Sequence, residues 1–127
     1  MAQWRDDIRH TASAAFGERP PFAGPVRLFA EFSLQPPASI PKYKRGWLPH
    51  SKKPDVDKLL RALCDALTGI VWVDDSQVSV CALNKGYAWD GITGVVVSIE
   101  PITDEAAQRF ATASQHLREL VRNEVIQ

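Results

Sequence analysis

The chain is poor in cysteine, carries no net charge and contains no long apolar run, and each absence removes a class of protein. Its two cysteines, Cys64 and Cys81, are far apart in sequence, in no metal-ligand spacing, and among apolar neighbours. That excludes a disulfide scaffold and a zinc knuckle, and both are expected as reduced, buried small hydrophobic residues. Lys and Arg total 15 against 15 Asp and Glu in 127 residues. The sum therefore offers no basic excess of the kind nucleic-acid binders usually carry. No apolar stretch approaches the ~18 residues of a membrane span, and the N-terminus has no signal-peptide pattern. A cytoplasmic protein is expected. With 45% apolar and 24% charged residues and no repeat or low-complexity segment, residues 1–127 read as a single ordered domain.

The charge is unevenly spread. Between positions 42 and 53 stand Lys42, Lys44, Arg45, Lys52 and Lys53, with His50 and no acid. A neutral chain with such a stretch still presents a basic face. The same region, residues 35–53, holds four prolines, lacks periodicity and carries Tyr43 and Trp47. It reads as a long loop, a type usually functional or disordered in so small a domain.

Around it the elements are regular. Residues 3–16 predict a helix through Trp4, Ile8, Ala12, Ala15 and Phe16, stopped by Pro20-Pro21. Residues 25–34 alternate as a strand through Val26, Leu28, Ala30, Phe32 and Leu34. Residues 55–68 form the strongest amphipathic helix, with Asp55 placed to cap it and Gly69 to end it. A short apolar stretch, Ile70 to Val73, leads into an Asp74-Asp75 turn. Strands follow over 77–83 and 92–100. Residues 103–124 predict a terminal helix capped by Thr103, with Phe110, Ala113, Leu117, Leu120 and Val121 on one side. The order points to an α+β fold: a small mixed sheet with helices packed on one face.

The chemistry is concentrated in four acids. Asp55 and Asp57 open the central helix; with Asp55 extended as the cap, both carboxylates can point out of the helix mouth. If Ile70–Val73 runs back antiparallel to the helix, Asp74 and Asp75 return towards that mouth. The helix is ~20 Å long and the return covers about 13 Å, so the match falls somewhat short, and a second subunit is the other way to complete the group. Clustered carboxylates repel one another unless a divalent cation neutralises them, and an all-oxygen site suits Mg2+ or Mn2+. Bland readings remain open: Asp55 as a simple cap, Asp74-Asp75 as a solvated turn, Asp57 with Arg61 as an i, i+4 surface ion pair.

The run Pro54-Asp55-Val56-Asp57-Lys58-Leu59-Leu60-Arg61-Ala62-Leu63, the ending Asp65-Ala66-Leu67-Thr68-Gly69 and the turn Asp74-Asp75-Ser76-Gln77-Val78 closely resemble the RusA family of Holliday junction resolvases. The resemblance covers roughly residues 20–100. It implies a homodimeric, Mg2+-dependent enzyme that hydrolyses phosphodiester bonds in branched DNA. It implies catalytic carboxylates at Asp55, Asp57 and Asp75 with Asp74 beside them, and a basic residue, Lys85, following the strand after the acidic turn. Asp65 also matches and is expected to hold Arg61 in place. The sequence departs from the family pattern at Lys58, where members have Asn, and at Arg61, where they have Lys. Arg keeps the charge and grips phosphate but does not give up a proton. Members also usually begin with a strand bearing a G-x-P-x-x-K-x-R-P-R segment, which this sequence is expected to lack.

The expected function is thus junction cleavage in DNA recombination and repair. Asp55, Asp57, Asp75 and Arg61 would be catalytic, and Asp55, Asp57, Asp74 and Asp75 would bind metal. Lys42, Lys44, Arg45, Lys52, Lys53, Lys58 and Lys85 would contact DNA. Two rivals are a module that binds junctions without cutting them and a metal-dependent nuclease without junction preference.

Overall fold

The structure, a computed structural model, describes residues 2–126, leaving aside the side chains of residues 2, 110 and 121–126. Its centre is β1 (Val26–Leu34), whose alternation sends Val26, Leu28, Ala30 and Phe32 into the core and Arg27, Phe29 and Glu31 to the other face. Two strands flank it in the order β2-β1-β3. β2 (Val78–Tyr87) runs parallel to β1, and β3 (Gly94–Pro101) antiparallel. Two adjacent parallel strands cannot be joined by a tight turn, so the chain must cross over between them. The crossover contains α2 (Val56–Leu67), making β1, α2 and β2 a βαβ unit with a small antiparallel addition.

The apolar stripe of α2 drives this packing. Leu59, Leu63, Cys64 and Leu67 join Val26, Leu28, Ala30, Phe32, Val71 and Trp72 in one cluster. The first helix, α1 (Ala2–Phe16), lies over the same core. Its Trp4 meets the Phe32 ring at 6.0 Å, and Phe16 meets Phe22 edge-on at 5.6 Å. The guanidinium of Arg9 donates to the carbonyls of Ala66 and Thr68, both at 3.2 Å, satisfying acceptors that the end of α2 leaves open. The α+β expectation, with helices on one face of a small mixed sheet, is met.

Three local differences matter. Ile70–Trp72 does not run back along α2. Gly69, at φ +89°, turns the chain; Val71 N–H donates to Leu67 at 3.0 Å, and Trp72 closes the turn on Thr68 through its indole N–H at 2.9 Å. Burial of Trp72 outweighs the tendency of four apolar residues to extend. β2 continues past the expected end at 83, because β1 offers a ladder as far as Leu34↔Tyr87. Asn84 and Gly86 are weak strand formers, which hid this extension. The terminal helix α3 (Asp104–Ile126) forms, with the Thr103 hydroxyl accepting from Ala106 N–H at 3.2 Å. Its Leu117 and Leu120 are exposed, and among the described residues none of α3 joins the core. Phe110 and Val121, expected on its apolar side, fall outside the described side chains.

Leu63 is fully buried between α2 and the sheet. Leu63→Ala is expected to lower unfolding free energy by about 2–5 kcal/mol, read from the urea midpoint at unchanged slope. A midpoint at the parent value would mean that α2 does not pack as described.

Candidate active site

Asp55 sits where a helix cap belongs, extended at φ −71° and ψ 149°, and its carbonyl accepts from Leu59 N–H at 3.1 Å. Its carboxylate makes no capping hydrogen bond, however. A side chain in the cap position that leaves its oxygens unused is available for another partner. Asp57, in the first turn, is exposed beside it. No ion pair joins Asp57 to Arg61 among the described residues, and the guanidinium faces solvent.

The second acidic pair is built differently. Asp74 caps the short 3-10 turn of Asp75–Gln77. Its carboxylate accepts from Ser76 N–H at 2.9 Å, and that bond holds its pKa below the ordinary value. Gln77 returns the bond, its side-chain oxygen accepting from Val73 N–H at 2.9 Å and Asp74 N–H at 3.0 Å. Its amide nitrogen reaches the carbonyls of Phe22 and Gly24 at 2.7 and 2.8 Å. Gln77 therefore ties the acidic turn to the segment entering β1. The D-x-x-Q spacing is that of a capping box and was readable as one. With Asp74 committed to this cap, the neighbouring Asp75 carboxylate is left exposed.

The two pairs do not converge within one chain. Asp55 and Asp57 lie at the N-terminal end of α2, and the next turn returns the chain only to its C-terminal half. The Asp75 charge is felt there by the Cys64 thiol. Burial first, then Asp75, Cys81 and Asp65, push that thiol up to about 11. From Asp57 to Cys64 is seven residues, ~10 Å of helix rise. Accordingly no three His, Cys, Asp or Glu among the described residues are close enough together to hold a metal ion. The expected return towards the helix mouth fails because Gly69–Trp72 curls rather than extends. The donor chemistry still fits a hard divalent cation, since each pair offers only exposed carboxylate oxygens, but the pairs stand towards opposite ends of α2.

The region of the chain that carries these residues matches a known pattern. The family model described as endodeoxyribonuclease RusA matches residues 1–100. The chain belongs to the RusA family. No curated protein matches it. Membership makes it an endodeoxyribonuclease of the Holliday junction resolvase type, and α3 lies beyond the matched residues.

Against this RusA-family frame the basic candidates divide. Lys85 lies within β2 rather than after it, and its ammonium donates to the carbonyls of Lys52 at 2.5 Å and Pro54 at 2.9 Å. Lys42, Arg45, Lys52, Lys53 and Lys58 are exposed, and Lys44 is half-exposed. They extend along the loop into the start of α2. Tyr43 and Trp47 are 74% and 62% exposed, so neither is spent on the core. A short 3-10 turn, Lys42–Lys44, holds the two together, and the Trp47 indole donates to the Tyr43 carbonyl at 2.9 Å. Asp65 does not hold Arg61. It pairs at 3.9 Å with Arg5, because the neighbouring α1 presents a guanidinium on that side of α2.

His50, noted in the sequence only for its charge class, is the one residue in this loop that the charge count misdescribes. It is 9% exposed and stacks on Tyr87 with ring centroids 4.4 Å apart. Burial, then the nearby Lys85 charge, lowers its pKa from 6.5. The unfolded chain thus takes up a proton at His50 before the folded chain does. Stability from this group is complete above about 6.5 and falls as pH drops through that value towards the lowered one. The melting temperature is expected to decline between roughly pH 7.5 and 5.5, with a shallower decline in His50→Phe; identical profiles would contradict the assignment. Gln77→Ala, which removes four hydrogen bonds, is expected to cost about 1–3 kcal/mol in chemical denaturation. An unchanged stability would show that the turn holds without its tie.

Proposed function

We propose that the chain is a Mg2+-dependent endonuclease that resolves four-way DNA junctions as a two-fold dimer, with Asp55, Asp57 and Asp75 as the metal-binding carboxylates. The observation that carries this reading is the Asp55 carboxylate, which occupies a cap position without capping and stands beside Asp57 in the family-matched region. Asp74 serves the turn that presents Asp75. The separation of the two acidic pairs along α2 favours a site composed of Asp55 and Asp57 from one protomer and Asp75 from the other.

Such an ion, when bound, supplies an activated water and neutralises charge on the phosphate. The chain's own residues do the rest. Arg61, one turn beyond Asp57, meets the charge developing on the phosphate as a permanently charged guanidinium, without exchanging a proton. Lys42, Lys44, Arg45, Lys52, Lys53 and Lys58 contact the backbone and set the register of the duplex arms. Tyr43 and Trp47 stack on bases left unpaired at the junction centre. Two sites related by a two-fold axis suit paired cuts on opposed strands.

The test is cleavage of a synthetic four-way junction, with linear duplex and flap substrates alongside. The expected result is cutting of the junction in Mg2+ or Mn2+ and none in EDTA, with Asp55→Asn and Asp75→Asn each lowering the rate by at least about 100-fold, a barrier rise of ~2.7 kcal/mol. Tight junction binding without cutting in Mg2+ would make the chain a binding module. Equal rates on linear duplex would remove the junction preference.

A further inference from the structure

Among the described residues no hydrogen bond aims the Asp55 carboxylate, yet the backbone entering it is held by three hydrogen bonds at two residues, Lys52 and Pro54. The Lys52 carbonyl and the Pro54 carbonyl both accept from the Lys85 ammonium. The Lys52 N–H donates to His50 Nδ1 at 3.4 Å. His50 is in turn buried and stacked on Tyr87, two residues beyond Lys85 on β2, and Tyr87 meets Trp89 edge-on at 5.3 Å. All three pins fall within residues 50–54, directly before Asp55, at the end of a 21-residue segment, 35–55, that crosses from β1 to α2. The strand supplies the Lys85 side of two of these contacts and, through Tyr87, the surface against which His50 packs in the third.

We propose that Lys85 and His50 are positioning residues for Asp55, clamping the backbone of residues 52–54 to β2 so that the Asp55 carboxylate is held at the mouth of α2. The inference rests on the reading of Asp55 as a metal ligand. It changes the role of Lys85: an ammonium has three donors, and two are spent on carbonyls rather than left for DNA phosphate. A half-buried lysine and a buried imidazole are stable here because each polar end has a partner. The neutral imidazole is the form that accepts from Lys52 N–H, in keeping with its lowered pKa. Partners that orient a metal ligand through its backbone or hydrogen bonds typically carry ~10–100-fold of metal affinity.

The experiment uses the full chain without DNA, with Mn2+ as the probe and free Mn2+ read by electron paramagnetic resonance. Lys85→Met keeps the aliphatic stem and removes the ammonium. His50→Phe keeps the stack on Tyr87 and removes the acceptor. Each is expected to weaken Mn2+ binding about 10-fold, and the double variant to be less than additive because both act on one short segment. Junction affinity in EDTA and its salt dependence should stay at the parent values, and far-UV circular dichroism checks the fold of each variant. Loss of about one unit of salt slope in Lys85→Met would overturn the proposal in favour of a direct phosphate contact. Parent-like Mn2+ affinity in His50→Phe and Lys85→Met would also overturn it. Asp55→Asn separates the two levels. If it abolishes Mn2+ binding while the clamp variants do not weaken it, only the clamp fails. If it leaves Mn2+ binding intact, the metal-ligand reading fails and the clamp with it.

Discussion

Parallel pairing of β1 with β2 is the constraint from which the rest of the molecule follows. A parallel pair obliges the chain to leave one end of the sheet and return to the other. Here it leaves after Leu34, passes through the basic loop, descends α2 and re-enters at Val78. The loop and Asp55 therefore gather at one end of the crossover. The acidic turn of Asp74 and Asp75 gathers towards the other. The polar chemistry is divided because the sheet is parallel, and each half is then braced separately: Gln77 on the segment entering β1, Lys85 and His50 on the far end of β2.

This division accounts for features that a single acidic cluster leaves unexplained. Asp74 spends its carboxylate on Ser76, and Asp75 presents an exposed one. Asp55 stands in a cap position with unused oxygens. Each end thus presents exposed carboxylates without gathering three, and the proposed two-fold dimer is the arrangement that would combine unlike ends. The exposed aromatics of the loop, Tyr43 and Trp47, share the end that carries Asp55 and Asp57, where a bound phosphate and its neighbouring bases would meet both.

The fold class was legible because its periodicities are strong. β1 alternates cleanly, α2 has an unbroken stripe, and Gly69 ends it with the positive φ that glycine supplies. The candidate acids were legible from their concentration and from the family pattern. What sequence alone did not resolve was decided by tertiary contacts. Ile70–Trp72 looked extended, but burying Trp72 against Thr68 curls it, and that turn fixes how far the acidic pair returns. Asp65 looked like a partner for Arg61 at i−4 spacing, yet Arg5 on a different helix is nearer. Lys85 looked like a DNA-contacting residue after the strand, and His50 like one more member of the basic stretch. One is bound to carbonyls and the other is buried on a tyrosine, and only the pairing of β2 with β1 out to Tyr87 makes either arrangement possible.

The central claim is that the crossover splits the metal site between two copies of the chain, and mixing protomers tests it most directly. Asp55→Asn and Asp75→Asn proteins, each inactive alone, would be unfolded, mixed and refolded together, then assayed on a four-way junction in Mg2+. A site shared between protomers leaves one intact site in each mixed dimer, so nicking on one strand should reappear. A site contained in one chain leaves both sites damaged in every mixed dimer, and the absence of any recovered nicking would contradict the account.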